Sequence, residues 1–296
     1  MYPVDPYNPG SNIPQMAGAT MPGAVMPGMP IQGTAMPVGA VNQFQGIQYV
    51  LVQDPLTELD NCKGVLIKQQ PEIFEAYTGC ETPNRYHVFG ETPNGYLYLF
   101  KCFERSGYCM RNCCASNMRE FNMDVLHVTP VGVKKFANVF KPFKCPCFCC
   151  NRPIINVYLS DGNSFVGRIT HTFTCCDPEF EVYDANGHLK YFVHADCCQC
   201  GLLCSNNFCG KMSTATFNIL STSNNVVGNI TKMTATYAEM ITDADSYYLA
   251  FPPDANASDK FLLIALGLMI DYQYFETSPG DKGNRGAYGY GRRIYI

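Results

Sequence analysis

The chain has 296 residues, 47% of them hydrophobic, and its 21 Lys and Arg against 25 Asp and Glu leave a net charge of −4. That length holds one large domain or two small ones, and an acidic balance without a long basic run argues against nucleic acid as a partner. No phosphate-cradling glycine loop, dinucleotide fingerprint, G-x-S-x-G elbow or H-E-x-x-H pair occurs, so the sequence presents no enzyme constellation.

Residues 1–46 differ from the rest. Eight of the twenty prolines lie before residue 38, and Asp5 is the only charge before Asp54. Stretches such as MPGAVMPGMP cannot bury enough apolar surface to order themselves, so this tail is expected to be disordered. Its prolines suit SH3- or WW-type partner domains. It has neither the basic nor the apolar region of a signal peptide, and its Met-Tyr start does not fit N-myristoylation. Phe44 to Leu59 is moderately apolar and leads into the folded part.

Strand signals then follow one another. Gly64–Gln70 and Glu72–Tyr77 flank Pro71, and Tyr86–Phe89 and Tyr96–Phe100 flank Thr92-Pro-Asn-Gly95. Phe121–His127 and Val133–Phe140 flank Thr129-Pro-Val-Gly132, and Asn156–Leu159 and Phe165–His171 flank Ser160-Asp-Gly-Asn163. Phe180–Tyr183 and His188–Val193 flank Asp184-Ala-Asn-Gly187, and Thr216–Leu220 and Val226–Met233 flank Ser223-Asn-Asn225. Thr236 to Thr242 reads as a short helix. Hairpins at such even spacing predict a sandwich or a closed barrel.

The most apolar run closes this series: Phe261, Leu262, Leu263, Ile264, Ala265, Leu266, Gly267, Leu268, Met269 and Ile270. As helix it rises about 15 Å, half of the roughly 30 Å of a bilayer core. Extending it to Phe275 places Asp271 in the hydrocarbon, and Lys282 and Arg285 follow it, against the charge bias of a helix entering from the cytosol. A helix apolar on every face is buried either in protein or in lipid, and its length favours protein. A wide barrel needs an apolar filler. The expectation is therefore a mainly β fold, a closed antiparallel barrel over residues 47–276 around a central helix at about 258–275, with a polar tail at 277–296.

Seventeen cysteines in a chain without an export signal read as thiols, metal ligands or acylation sites rather than as disulfides. Cys145, Cys147, Cys149 and Cys150 are too dense to share one metal. Beside Lys141, Phe143 and Lys144 they suit S-palmitoylation, and stable anchoring takes at least two acyl chains. Cys109, Cys113 and Cys114, the pair Cys175–Cys176, and Cys197, Cys198, Cys200, Cys204 and Cys209 have the makings of zinc sites, but their irregular spacing favours free thiols in turns.

The segment Asp243 to Asp254 has the length of a calcium loop. Asp243, Asp245 and Asp254 stand at its first, third and twelfth positions, and Tyr247, Leu249 and Phe251 have carbonyls to offer. Tyr248 replaces the glycine of the sixth position and Asp254 the bidentate glutamate of the twelfth. By spacing alone an acidic turn leading into an edge strand, Tyr247–Phe251, is the stronger reading.

In this order, Gln69-Gln70 with Thr78-Gly79, Arg111-Asn-Cys-Cys114, Cys145 to Cys150, Thr242-Asp-Ala-Asp245 with Phe251-Pro252, and the apolar segment ending Ile270-Asp271 and Phe275-Glu276 resemble the phospholipid scramblase family. The resemblance covers about residues 45–276. It implies a Tubby-like barrel around a C-terminal helix, and a palmitoylated, Ca2+-responsive protein of the inner face of the plasma membrane that moves phospholipids between leaflets without ATP or bond-making chemistry. It maps calcium onto Asp243, Asp245, Tyr247, Leu249, Phe251 and Asp254. The family's basic nuclear-import segment has only Lys232 here, and Pro-Pro-x-Tyr motifs are absent from the tail.

Three functions follow. A lipid scramblase would need its helix to leave the barrel, in a single-pass form with the C-terminus outside, or copies to self-associate into a groove. An acyl-anchored binding module in signalling needs neither. A zinc-dependent regulator would carry stoichiometric metal.

Overall fold

The computed structural model describes residues 42–70, 83–107, 119–129, 131–144, 151–160, 164–174, 176–203, 213–234 and 245–275. In chain order these form β1 (Asn42–Phe44), β2 (Ile47–Leu51), α1 (Pro55–Asn61), β3 (Gly64–Gln69), β4 (Arg85–Thr92), β5 (Gly95–Glu104), β6 (Phe121–Thr129) and β7 (Gly132–Lys141). There follow β8 (Ile154–Leu159), β9 (Phe165–His171), β10 (Glu179–Asp184), β11 (Leu189–His194), α2 (Cys200–Leu203), β12 (Ala215–Ser221), β13 (Val226–Lys232), β14 (Ser246–Ala250), α3 (Ala257–Ile270) and a π-helical turn, Asp271–Phe275.

Local chemistry sets the strands and their turns. Residues alternate between faces: in β10, Phe180 and Val182 are buried, while Glu179, Glu181 and Tyr183 are only half-buried. The two Thr-Pro-x-Gly turns close alike, with Thr92 Oγ1 donating to the Gly95 carbonyl and Thr129 Oγ1 to that of Gly132, both at 2.8 Å. Gly95 has φ of 119°, a conformation that glycine adopts without a Cβ penalty.

Strands β3 to β14 pair antiparallel with their neighbours, and β5 also meets β6, from Lys101↔Leu126 to Glu104↔Met123. The result is a closed antiparallel barrel of twelve strands. The first half of β5, which β6 does not reach, takes β2 in parallel, from Tyr49↔Tyr96 to Leu51↔Tyr98. The β1–β2 hairpin so laid on the outer wall covers a second apolar cluster, in which Phe44 stacks on His87 at 4.0 Å and Tyr49 meets Phe89 and Tyr98.

Helix α3 fills the barrel. Every residue from Asp259 to Phe275 is buried. The helix starts at Asn256, whose side chain accepts from the Asp259 amide at 2.9 Å, and Asp259 in the first turn favours the positive end of the helix. Around it the walls contribute Ile67, Val88, Phe100, Val125, Val139, Ile155, Ile169, Val182, Phe217 and Ile230 to one continuous core. Because α3 turns back after β14, it runs from the rim where β14 finishes, the upper rim, to the rim where β14 begins, the lower rim. The short hairpin turns lie at the upper rim, and antiparallel order puts the ends of β5, β7 and β11 and the starts of β6, β8 and β12 at the lower one.

The structure corrects two expectations. The segment after Phe44 is a hairpin and a helix rather than a plain lead-in, and the hairpin starts at Asn42, inside the stretch assigned to the disordered tail. Strand β14 is not an edge, because β13 and β3 flank it and closure leaves no edge there. The predicted strand Glu72–Tyr77 and helix Thr236–Thr242 lie outside the described residues.

Candidate functional site

The residues singled out from the sequence fall into three groups, which the fold places at different depths. The first is the apolar helix. Phe261, Leu262, Leu263, Ile264, Leu266, Leu268, Met269 and Ile270 are all at most 1% exposed. Phe261 packs against Phe100 and Phe136, each at 5.4 Å between ring centres. Among the described residues no helix is long and apolar enough to cross a membrane.

Both ends of the helix are tied by polar groups that the hydrophobic pattern did not reveal. At the upper rim the buried Lys260 ammonium donates to the carbonyls of Leu59 (3.3 Å), Asp60 (2.6 Å) and Cys62 (3.0 Å) at the end of α1, where the Leu59 carbonyl also accepts from the Cys62 amide. Asp259 pairs there with Lys190 at 3.2 Å. At the lower rim every residue of the π-helical turn meets a side chain of the wall or its loops. Asp271 accepts from the Tyr86 and Tyr247 hydroxyls, and Tyr272 accepts from Arg119, whose guanidinium lies over its ring. Gln273 and Tyr274 reach the two nitrogens of His171 at 2.8 and 3.1 Å, and the Lys232 ammonium sits 4.1 Å from the Phe275 ring centre. Burial, with the Asp245 charge second, pushes the Asp271 carboxyl well above the usual range. Burial and then the Arg152 charge hold His171 neutral, its pKa lowered to about 3.

The second group is the acidic segment. Asp243 lies outside the described residues. Asp245 is at the lower rim, with its Oδ2 2.7 Å from Lys232 Nζ. Tyr247 and Leu249 point into the core, and their backbone lies between two paired strands. Phe251 is buried at the upper rim and Asp254 is exposed just beyond it. Six steps of extended chain lead from Asp245 to Phe251, about 20 Å at strand rise. A calcium ion gathers its oxygens at about 2.3–2.6 Å. The residues from Asp245 to Asp254 therefore do not fit one ion, and an ammonium already neutralises the Asp245 carboxylate.

The third group is the thiols. Cys145, Cys147, Cys149 and Cys150 lie outside the described residues, as do Cys109, Cys113, Cys114, Cys175, Cys204 and Cys209. Cys176, Cys198 and Cys200 are exposed. Asp196, Cys197 and Cys198 bring ligand atoms within 4.8 Å of one another. The Asp196 carboxylate accepts from the Cys198 amide, and the Asp177 carboxylate, first of several causes, pushes the Cys197 thiol up to about 12. Cys62 and Cys102 are buried, and burial raises both thiols, that of Cys62 to about 11.

A closed antiparallel barrel threaded by its own C-terminal helix defines the class of this fold. A model of the family described as Scramblase matches residues 46–277, and the chain belongs to that family. Phospholipid scramblase 2 of Bos taurus is 28% identical over 248 residues, 83% of this chain and 76% of the relative. Phospholipid scramblase 1 of Homo sapiens is 27% identical over 238 residues, 79% of this chain and 68% of the relative. Phospholipid scramblase 4 of Homo sapiens is 26% identical over 255 residues, covering 85% and 70%. No solved structure matches the chain.

Proposed function

We propose that this chain moves phospholipids in both directions between the leaflets of the plasma membrane, without ATP and in response to calcium. The observation that carries the reading is the family match along residues 46–277, with relatives named phospholipid scramblases. The protein is held on the cytosolic face by acyl groups on Cys145, Cys147, Cys149 and Cys150. Its partners are membrane phospholipids, further copies of itself, and SH3- or WW-type domains on the proline-rich tail. Calcium acts on the chain elsewhere than on Asp245–Asp254 as one coordinated set.

In this reading α3 stays inside the barrel. Withdrawing a buried Leu, Ile, Phe or Met costs about 1.5–3 kcal/mol, and α3 carries eight of them from Phe261 to Ile270. Their joint burial rivals the roughly 5–15 kcal/mol by which a whole domain is stable. A bilayer would take the helix but leave the apolar wall of the barrel empty. Lipid headgroups must then pass along the outside of the protein or between copies of it.

A second reading, an acyl-anchored binding module without lipid transport, is favoured by the polar ties at both ends of α3. Reconstitution separates the two. Purified protein in vesicles with a labelled lipid in one leaflet is expected to equilibrate the label rapidly on calcium addition. Folded, vesicle-bound protein that leaves the label in its own leaflet establishes the binding module instead.

A further inference from the structure

The outer wall of the barrel carries a cavity of about 360 Å³ that none of the features above uses. Strand register builds it. One row across the wall runs Phe103↔Asp124↔Asn138↔Tyr158, and the next runs Lys101↔Leu126↔Lys135. Asp124 faces outward between Met123 and Val125, which face the core, yet it is only 2% exposed. Its neighbours cover it. Lys135 Nζ lies 2.7 Å from Oδ1, Arg105 Nε lies against Oδ2 as a charge contact rather than an aligned hydrogen bond, and Asn138 Nδ2 donates to Oδ1 at 3.2 Å. Asn138 also donates to Asn122 Oδ1 at 2.7 Å, which fixes both amides at the cavity floor.

Two cations share this one carboxylate, so one positive charge is left over at the cavity. Both cations keep a free side toward solvent, with the Arg105 side chain 62% exposed and that of Lys135 44%. Lys101 adds positive charge on the neighbouring strand β5. A basic wall on a chain of net charge −4 is a local feature of this surface. A buried carboxylate needs its partners, so Asp124 holds the two cations in place even with nothing bound. An Arg fork and a Lys point charge that both keep donors toward solvent are a pair that takes a phosphoryl group. The volume lies at the small end of ligand cavities.

We propose that this wall cavity, built by Arg105, Asp124 and Lys135, binds the phosphoryl anion of a phosphate ester, either free in solution or as a phospholipid headgroup. The assignment is read from equilibrium binding alone and stands whether or not the protein moves lipid between leaflets.

The test uses the full chain with two probes, glycerol 3-phosphate by titration calorimetry and phosphatidylcholine vesicles with or without phosphatidic acid by flotation. Lys135→Ala is expected to weaken binding about tenfold, the scale of one charge-assisted contact. Asp124→Asn is expected to tighten it, because the carboxylate that competes for both cations is gone. Opposite signs from adjacent residues do not arise from a general loss of fold, and circular dichroism melts check each variant. Should Asp124→Asn not fold, Arg105→Ala replaces it, with weakening expected. Lys190→Ala on β11, three strands round the barrel from β8, is an equal change of net charge and is expected to leave binding unchanged. Binding of both probes assigns a site open to free phosphate esters, and binding to vesicles alone assigns a headgroup site. Binding of neither, or an equal loss in Lys190→Ala and Lys135→Ala, overturns the proposal.

Discussion

Lys260 shows how one side chain fastens the core of this protein. Its ammonium is enclosed by three main-chain carbonyls at the end of α1, and Phe251 lies 5.5 Å beneath it. Lys260→Met keeps the aliphatic stem but takes the ammonium from the Asp60 and Cys62 carbonyls, and it is expected to lower stability by about 2–4 kcal/mol. Urea titration followed by circular dichroism reads this as a lower midpoint at unchanged slope; the chain has no Trp to report by fluorescence. His171 supplies a prediction in pH. Its folded pKa of about 3 lies below the roughly 6.5 of an unfolded histidine. Between those values the unfolded chain binds more protons, so the His171 contribution is complete above about pH 6.5 and is lost as pH falls toward 3. His87, lowered to about 4 by burial, titrates in the same window. His171→Gln is therefore expected to flatten the fall in stability between pH 6 and 4 by about 1.4 kcal/mol per pH unit and to leave the His87 share. Equal slopes in the two proteins would show that His171 is not held neutral.

At the scale of elements, the contact between α3 and the wall is as close as the backbone allows. A Cβ at Gly167 in β9 would come within 2.8 Å of Leu262 Cδ1 and closer still to the Tyr183 carbonyl of β10. Gly167→Ala is thus expected to cost about 1–3 kcal/mol by overpacking. Leu262→Ala opens space on the helix side only, so in the double variant part of the Gly167→Ala cost is expected to return and part, that against the β10 backbone, to remain. A double-mutant cycle of denaturation midpoints measures the coupling. The paired Thr-Pro-x-Gly turns and the strands that they join were legible in the chain, because a hairpin is decided by residues a few positions apart. The β1–β2 hairpin was not. Its aromatic residues Phe44 and Tyr49 only acquire partners, His87, Phe89 and Tyr98, from strands some forty residues away.

For the whole molecule, the question is whether α3 remains in the barrel when the protein meets a membrane. Its burial and its ties at both rims predict that it does. Hydrogen exchange of the amides of residues 257–270 is expected to be among the slowest in the protein, in solution and equally on vesicles with calcium. Rapid exchange on vesicles while the barrel strands stay protected would show the helix leaving. Deleting the helix is expected to abolish folding of the barrel rather than to leave an open one, since twelve inward faces would lose the surface they pack on.

The sequence alone determined the kind of fold and its filler. Strands joined by short turns bury their apolar face in a sandwich or by pairing round on themselves, and a run such as Phe261–Ile270, too short for a bilayer, favours the closed form that it can fill. The order of the remaining motifs was enough to give the family. Tertiary structure decided the rest. Asp245 lies within an acidic segment of calcium-loop length, but only the fold brings Lys232 to within 2.7 Å of it and draws the residues after it into β14. Asp271 and Lys260 read as boundaries of an apolar run, and only the fold supplies the hydroxyls and carbonyls that let them be buried. Charge partners are set by distance in space, and no spacing along the chain encodes which strand a closed barrel will bring alongside.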